Sequence, residues 1–136
     1  AAVVEIARAS RRAKVIATHI ELILVVTGAA TAIAVGQFIA PLPVLRLTYG
    51  EAPTDPVSVA LARHWGLLIF CVGALLVYAA FHPPIRAPIM VFAVIEKVAF
   101  AGCVLGTSLR KHRVAAAMAA ADLLIAVVYG LYFAGL

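Results

Sequence analysis

The fold of this chain is decided by the stretch APIMVFAVIEKVAFAGCVLG, residues 87–106, which is apolar except for the adjacent pair Glu96 and Lys97. A helix of about 20 residues, rising about 1.5 Å per residue, crosses the roughly 30 Å core of a bilayer. A charged side chain near the bilayer centre costs roughly 2.5–3.5 kcal/mol on insertion scales, so it normally has a partner. The stretch therefore predicts a membrane-spanning helix packed around a polar interior.

The composition of the whole chain agrees with a membrane protein. Of its 136 residues, 65% are hydrophobic and 12% are charged, whereas soluble domains have about 45–50% and about 25%. A domain this small cannot hide such an excess of apolar side chains from water. Backbone polar groups in hydrocarbon must be satisfied within their own segment, so the spanning elements are expected to be α-helices.

Three further apolar segments of similar length predict a single domain, residues 1–136, with four transmembrane helices. Their approximate ranges are 15–36, 57–81, 86–106 and 114–136. A tight stop at His82-Pro83-Pro84 and a short basic turn at Ser108–Arg113 favour antiparallel neighbours. Repeated proline in Gln37–Pro56 argues against a regular helix there. The predicted fold is an all-α membrane protein, a four-transmembrane-helix antiparallel bundle with a Pro-rich loop between helices 1 and 2.

The formal net charge of +5 is concentrated at the ends of the predicted helices. Basic residues flank the first and the last span, at Arg8, Arg11, Arg12, Lys14, Arg110, Lys111 and Arg113. Such residues are ordinary anchors that face lipid headgroups, so the lipid bilayer is the expected partner and nucleic acid is not. Lys and Arg tie between the two sides, and the basic first segment favours an N-terminus inside. The expected location is the cell membrane, the inner membrane if the source is bacterial.

Every predicted helix carries ionisable side chains, and their depths suggest partners. At about 1.5 Å per residue, Lys97 and Asp122 come to a similar depth, roughly 16–18 Å from the N-terminal face, and are predicted to pair. Glu96 projects about 100° away from Lys97 and is expected to point towards Arg63 or Glu21. The candidates for a polar core or a ligand site are Glu21, Arg63, His64, Trp65, Glu96, Lys97 and Asp122.

Two interpretations of this polar interior stay open. Its charges are either internal ion pairs that fix the register of the helices or the lining of a cavity that binds a small molecule or passes protons. No catalytic residue is assigned. The four histidines are scattered over different segments, so no metal site is predicted. No cofactor motif of the phosphate-loop, dinucleotide or haem-attachment type occurs.

Small residues at four-residue spacing predict close contacts between helices. They occur as Gly28, Ala32 and Gly36 in the first span and as Gly102 and Gly106 in the third. Small residues at this spacing let helix backbones approach closely in lipid. We expect these contacts to form within one chain rather than between two copies.

Four short motifs lie in order along residues 60–105: RHWG (63–66), GALLVYAA (73–80), RAPI (86–89) and EK (96–97). In this layout the chain resembles small bacterial four-helix membrane proteins of the DoxX-like group. That resemblance implies an accessory subunit of a quinone-linked oxidoreductase or a small assembly factor. It implies protein subunits or further copies of the chain as partners, and it assigns no catalytic residues.

Acids and a Trp within apolar helices also make the chain similar to membrane bundles of the sterol isomerase type. There Glu96 and Asp122 would stabilise a carbocation or bind an amine. We therefore predict a small accessory or small-molecule-binding membrane protein, with a quinone or a lipid as the apolar ligand. The alternative is a membrane-embedded isomerase or oxidoreductase that acts on a lipid, sterol or quinone through these acids and His64.

Overall fold

The computed structural model describes residues 2–135, with side chains from Val15 to Gly135. The chain is helical, and these residues contain no strand. A short 3-10 helix, Ser108–Lys111, precedes the last of six α-helices. The α-helices are α1 Ala2–Ala32, α2 Val35–Ile39, α3 Pro41–Tyr49, α4 Pro56–Ala80, α5 Pro83–Leu105 and α6 Arg113–Phe133.

Four stretches are long and apolar enough to cross a membrane, which confirms the predicted all-helical fold with four spans. They are Val15–Ile39, Pro56–Ala80, Pro83–Leu105 and Arg113–Phe133, within a few residues of the predicted ranges. In no span does the buried share exceed 28%. Most of the apolar surface of each span therefore has to be covered by lipid or by another protein.

The first span is not one continuous helix. A turn at residues 33–34 separates α1 from α2, and two neighbouring residues of α4, Ala62 and Arg63, form hydrogen bonds with α2. Gln37 Nε2 in α2 donates a hydrogen bond to the Ala62 carbonyl at 2.8 Å. Arg63 donates to the carbonyls of Phe38 and Ile39 at 3.0 and 3.3 Å. The two Arg63 bonds satisfy carbonyls at the end of α2 that have no partner within the helix.

The prediction that repeated proline excludes a helix between the first two spans was wrong. Residues 41–49 form α3, and between α2 and α4 only residue 40 and residues 50–55 lack helical structure. Pro41 and Pro43 occupy the first turn of α3, where backbone N–H groups have no acceptor within the helix, so their missing N–H costs nothing there. Gly50 ends α3 with φ of 79°, a left-handed conformation that glycine adopts without a steric penalty.

The two prolines after α4 begin a helix rather than stop one. Pro83 and Pro84 are the first two residues of α5, again at positions that need no N–H donor. Arg86, one turn later, is buried. Its side chain donates to the carbonyls of Ala79 and Ala80, at 3.2 and 2.7 Å, at the end of α4. The Arg86 side chain thus connects the start of α5 to the end of α4 by hydrogen bonds.

At its other end α4 is capped by an acid. Asp55 is the N-cap residue, and its carboxylate accepts a hydrogen bond from the Ser58 backbone N–H at 2.8 Å. Hydrogen bonds from the side chain and the backbone of Ser58 hold the pKa of Asp55 below its ordinary value. An aspartate in this place satisfies one of the unpaired N–H groups at the helix start.

Glycines set the distance between the first span and α4. A Cβ atom added at Gly28 would lie 2.7 Å from the Gly73 carbonyl oxygen, and one at Gly73 would lie 2.6 Å from the Gly28 carbonyl oxygen. A Cβ at Gly66 would lie 2.7 Å from the Phe38 backbone nitrogen. The predicted close contact of the Gly28 stripe is therefore present, with α4 as its partner.

The Gly102 stripe behaves differently. Gly102 is exposed, and nothing lies within 4 Å of a Cβ added there. A Cβ on Gly106 would meet only the Gly102 carbonyl of the preceding turn. The prediction that these two glycines bring α5 against another helix of the same chain was wrong. α5 packs against α6 and α4 through other faces.

The main apolar core lies where α1, α4, α5 and α6 meet. Its fully buried members include Leu24, Leu76, Met90, Ala93 and Tyr129. A second, smaller cluster joins the C-terminal half of α5 to the N-terminal half of α6 through Ala101, Val104, Ala115 and Ala119. The polar residues described next lie in α1, α5 and α6 within this arrangement.

Candidate functional site

Lys97 is the most deeply buried charged residue among the described side chains, with 2% of its surface exposed. It belongs to the buried face of α5, on which Met90, Ala93 and Ala101 recur at three- and four-residue spacing. Any residue at this position would point into the bundle. The helix therefore places an ammonium group in the interior, where it requires polar partners.

Lys97 has two hydrogen-bond acceptors on two different helices. Its Nζ donates to Asp122 Oδ1 in α6 at 2.8 Å and to Thr31 Oγ1 in α1 at 3.1 Å. The ion pair predicted from matching depths is thus present, and Asp122 is 20% exposed. The lysine joins three helices through its two bonds.

The polar cluster extends towards the end of α6 through the hydroxyl groups of Thr27 and Tyr129, which the sequence did not predict. The Thr27 hydroxyl and the Tyr129 hydroxyl lie 2.5 Å apart, and Thr31 Oγ1 donates to the Thr27 carbonyl. Thr27 and Thr31 are four residues apart on α1, and Asp122 and Tyr129 are seven apart on α6. Both spacings put their residues on one helix face, and that periodicity was the available signal.

Glu96 is the residue of the cluster that lacks a hydrogen bond. Its Oε2 atom is buried, has no hydrogen-bond partner among the described residues, and lies 3.8 Å from Lys97 Nζ. That distance is an ion-pair contact and too long for a hydrogen bond. Two carboxylates share one ammonium group, so the cluster formed by Glu96, Lys97 and Asp122 has a surplus of one acid.

The remaining predicted site residues lie outside this cluster. Arg63 caps α2, as described above, so the predicted contact between Glu96 and Arg63 was wrong. Glu21, His64 and Trp65 are exposed on the surfaces of their helices. Over residues 15–135, neither Glu21 nor His64 makes an ion pair with the cluster. The rise per residue gave the depth of each candidate in the membrane, but it did not give the direction in which the side chain points.

An apolar groove lies between α4 and α5 on the outer surface of the bundle. It has a volume of about 290 Å³ and is lined by Val72 and Leu75 of α4 and by Pro88, Ile89 and Phe92 of α5. Its volume is close to the lower end of the roughly 300–1,000 Å³ of small-molecule sites. All five lining residues lie within the predicted spans, so the groove opens towards lipid.

Glu96 lies on the same side of α5 as the groove. It follows Phe92 by four residues and Ile89 by seven, which in a helix brings the three side chains to one face. The rise between Phe92 and Glu96 is about 6 Å at 1.5 Å per residue. The acid is thus one helical turn beyond the apolar lining, towards the middle of the span.

Comparison of the chain with protein-family models, with curated proteins and with solved structures finds no match. The resemblance to DoxX-like proteins therefore stays a prediction. Among the described residues, no group of three or more His, Cys, Asp or Glu side chains is placed to hold a metal ion. Besides the ion pair of Lys97 and Asp122, the cluster contains one buried carboxyl oxygen, Glu96 Oε2, that has no hydrogen-bond partner among the described residues.

Proposed function

We propose that this chain is an integral membrane protein that binds an elongated apolar molecule in the groove between α4 and α5. The observation that carries the proposal is the position of Glu96. Its Oε2 atom is buried without a hydrogen-bond partner, one turn from a groove with apolar walls. Binding sites of this type combine an apolar lining with a few polar groups that orient the ligand.

The shape and position of the groove favour a ligand that comes from the bilayer. A volume of about 290 Å³ suits a single chain or a small ring with a tail. The opening faces lipid, so an apolar molecule would enter sideways without passing through water. A quinone or a lipid, the two ligands predicted from the sequence, both belong to this class.

We further propose that the protein works beside other membrane proteins, as its resemblance to DoxX-like accessory subunits implies. Large apolar side chains such as Phe92, Ile95 and Leu124 are exposed on the spans. The exposed Gly102 leaves a smooth region on α5 that a helix of another subunit, or of a second copy, could approach closely. The cell membrane is the proposed location.

The enzyme alternative gains no support from the arrangement of its three residues. Glu96 and Asp122 flank Lys97, but His64 is exposed on α4 and contacts neither acid. A general base needs to be within hydrogen-bond reach of the proton that it removes, directly or through one water. We therefore propose a binding role rather than catalysis.

The proposed topology is a bundle of four antiparallel spans, with both chain ends on one side. The Arg86 bonds to the end of α4 support a tight reversal between α4 and α5. Single cysteines at Ser10, Asp55 and Ser108, in a background with Cys71 and Cys103 replaced by Ala, would report their sides to an impermeant thiol reagent. Asp55 and Ser108 should share the side opposite to Ser10. Labelling of Ser10 and Asp55 from the same side would contradict the topology.

The binding proposal is tested with two leucine-to-tryptophan variants. Leu75→Trp fills the groove, whereas Leu124→Trp adds the same side chain to an exposed position of α6. After mild extraction from native membranes, native mass spectrometry should find an apolar small molecule on the wild type and on Leu124→Trp but not on Leu75→Trp. Equal occupancy of both variants, or no retained molecule on any of them, would contradict a ligand site in the groove.

A further inference from the structure

We infer that the groove takes the hydrocarbon chain of an anionic lipid, whose carboxylate or phosphate head group lies at the turn between α4 and α5, beside Tyr78 and His82. The inference rests on the proposed function and names the class of ligand that the groove binds. It follows from the depth of the groove in the span, from the side chains at its outer end and from the charge of the hairpin that α4 and α5 form.

The groove lies in one half of the bilayer. Pro88 and Phe92, its first and last lining residues on α5, follow the start of the span at Pro83 by five and nine residues. At about 1.5 Å per residue they are roughly 8 and 14 Å into a core of about 30 Å. The groove therefore faces the chains of the leaflet on the side of the α4–α5 turn, and a lipid of that leaflet has its head group at the turn.

An aromatic pair lies at the outer end of the groove. The N-cap residue of α5 continues the lined face of that helix, which carries at three- and four-residue spacing His82, Ile85, Ile89 and Phe92. On α4, Tyr78 follows the lining residue Leu75 by three residues. The rings of Tyr78 and His82 stack with their centroids 3.8 Å apart, and both residues are exposed. A chain in the groove thus leads to this pair.

The pair offers polar groups to a head group at the membrane surface. His82 Nδ1 lies 2.8 Å from the Tyr78 carbonyl oxygen. A carbonyl only accepts, so Nδ1 carries the hydrogen of this bond and Nε2 is the ring nitrogen left for a ligand. The exposed Tyr78 hydroxyl can donate to a carboxylate or a phosphate. His82 Nε2 donates as well when the imidazole is protonated.

The charge of the hairpin favours an anion at the turn. From Pro56 to Ile95 the sequence contains no Asp or Glu. Arg86, four residues after His82, is buried and forms no ion pair with a described residue. Its two hydrogen bonds go to carbonyl groups at the end of α4, so its positive charge has no carboxylate beside it.

The other charges near the turn do not cancel that of Arg86. The C-terminal end of α4 and the N-terminal end of α5 have helix dipoles of opposite sign, which offset each other where the two helices meet. Glu21, in the N-terminal part of the first span, is exposed and forms no ion pair among the described residues. An anionic head group is therefore attracted to the turn, and a cationic one is repelled.

The experiment compares probes that share a twelve-carbon chain and differ in the head group, with the protein in nanodiscs of phosphatidylcholine. Dodecanoate and dodecyl phosphate are anions, 1-dodecanol is neutral and dodecyltrimethylammonium is a cation. Affinity is read from the concentration dependence of the thermal shift. At least one of the anions should bind about tenfold or more tightly than 1-dodecanol, as expected for one hydrogen bond to a charged group. The cation should bind more weakly than 1-dodecanol.

Two variants of His82 test the place of the head group. Asp and Asn both serve as N-cap residues, so His82→Asp and His82→Asn are expected to fold alike and to differ in one charge. The preferred anion should bind to His82→Asp about tenfold or more weakly than to His82→Asn, because two negative charges then meet at the turn. 1-Dodecanol should bind equally to the two variants.

The outcomes separate this inference from the function on which it rests. Equal affinity for the anions and 1-dodecanol, with all binding lost in Leu75→Trp, would overturn the inference and leave the groove as a binding site. Affinities that are the same in wild type and Leu75→Trp would overturn the proposed function as well. Tightest binding of the cation, or equal binding of the anion to the two His82 variants, would also overturn the inference. A preference for dodecanoate alone assigns fatty acids, and one for dodecyl phosphate alone assigns phospholipids.

Discussion

Lys97 Nζ lies 2.8 Å from Asp122 Oδ1, across the interface between α5 and α6 and near the middle of both spans. The lysine is 2% exposed and the aspartate 20%. Without Lys97, the Asp122 carboxylate would have no cationic partner, and without Asp122, Lys97 would keep only the longer contact of 3.8 Å to Glu96. The shorter contact, to Asp122, is therefore expected to contribute most to the burial of Lys97, and the energetic coupling of the two residues should be large.

The first prediction concerns this coupling. Lys97→Met should lower the free energy of unfolding by about 3–5 kcal/mol, because it leaves the Asp122 carboxylate without its partner. Asp122→Leu should cost less, because Glu96 stays 3.8 Å from the Lys97 ammonium group. The double variant should recover much of that loss. Unfolding of the four proteins in detergent gives the double-mutant cycle that measures the coupling. Losses that simply add in the double variant would show that the two side chains do not interact.

Glu96 should behave in the opposite way. Its buried oxygen has no hydrogen-bond partner among the described residues, so Glu96→Met removes an unsatisfied polar group and keeps the Lys97 pair. We expect the free energy of unfolding to rise by about 1–3 kcal/mol, the usual cost of such a group. The same unfolding assay checks this, with Asp122→Leu as the comparison. A destabilised Glu96→Met would mean that Glu96 has a stabilising role that its contacts do not explain.

The glycines of the first span and α4 give a steric prediction with an internal control. Gly73→Ala would place a Cβ atom 2.6 Å from the Gly28 carbonyl oxygen, so the two helices must separate. A loss of about 1–3 kcal/mol is expected, as for other overpacked sites. Gly102→Ala meets nothing within 4 Å and should leave the thermal midpoint unchanged or slightly raised. A greater loss for Gly102→Ala than for Gly73→Ala would contradict the described packing.

The N-cap of α4 predicts a local dependence on pH. Hydrogen bonds from Ser58 hold the pKa of Asp55 below its ordinary value, so its contribution is present above the unfolded pKa of about 3.9. The contribution is lost as the pH falls through the folded pKa. Hydrogen-exchange protection of the Ser58 amide should therefore decline at acidic pH. Asp55→Asn keeps a good cap without a titrating group, and its protection should stay constant over the same range.

Arg86→Lys should destabilise the protein. Its guanidinium group donates to two carbonyls at the end of α4 from a buried position, and a lysine lacks the planar fork that reaches both. Loss of one charged hydrogen bond should cost about 1.5–3 kcal/mol in unfolding measurements. Arg110→Lys, at an exposed residue with one bond of 3.4 Å, is the control and should change little. Equal effects of the two substitutions would show that the Arg86 bonds do not matter.

The sequence predicted those features of the structure that depend only on position along the helix axis. Hydropathy and length located the four spans, and rise per residue paired Lys97 with Asp122. The rotation of each helix about its axis was not available, so Glu96 was predicted to point towards Arg63 or Glu21, whereas it lies beside Lys97. The sequence did not predict the roles of Thr27, Thr31 and Tyr129. Hydroxyl groups are common in membrane helices, and without a known neighbour they do not indicate a polar cluster. The α3 helix was missed because proline was read as a breaker without regard to its place in the first turn.

Arg86 was also overlooked, since a basic residue near a predicted turn resembles an ordinary headgroup anchor. Its true partners are backbone carbonyls, which carry no signature in the sequence. The groove could not be foreseen for a related reason. It is a space left between two helices, and its lining residues are common apolar types that would serve equally well in a filled interface.

The separation of Lys97 and Asp122 along the chain, 25 residues, has a consequence for the order of synthesis. α5 emerges from the ribosome with an acid and a base in its middle, before the aspartate that completes the pair has been translated. Alone, it would enter the bilayer at the insertion cost of two mid-membrane charges, each roughly 2.5–3.5 kcal/mol. α5 is therefore expected to wait at the insertion machinery until α6 arrives, and the two helices should leave it together as one hairpin.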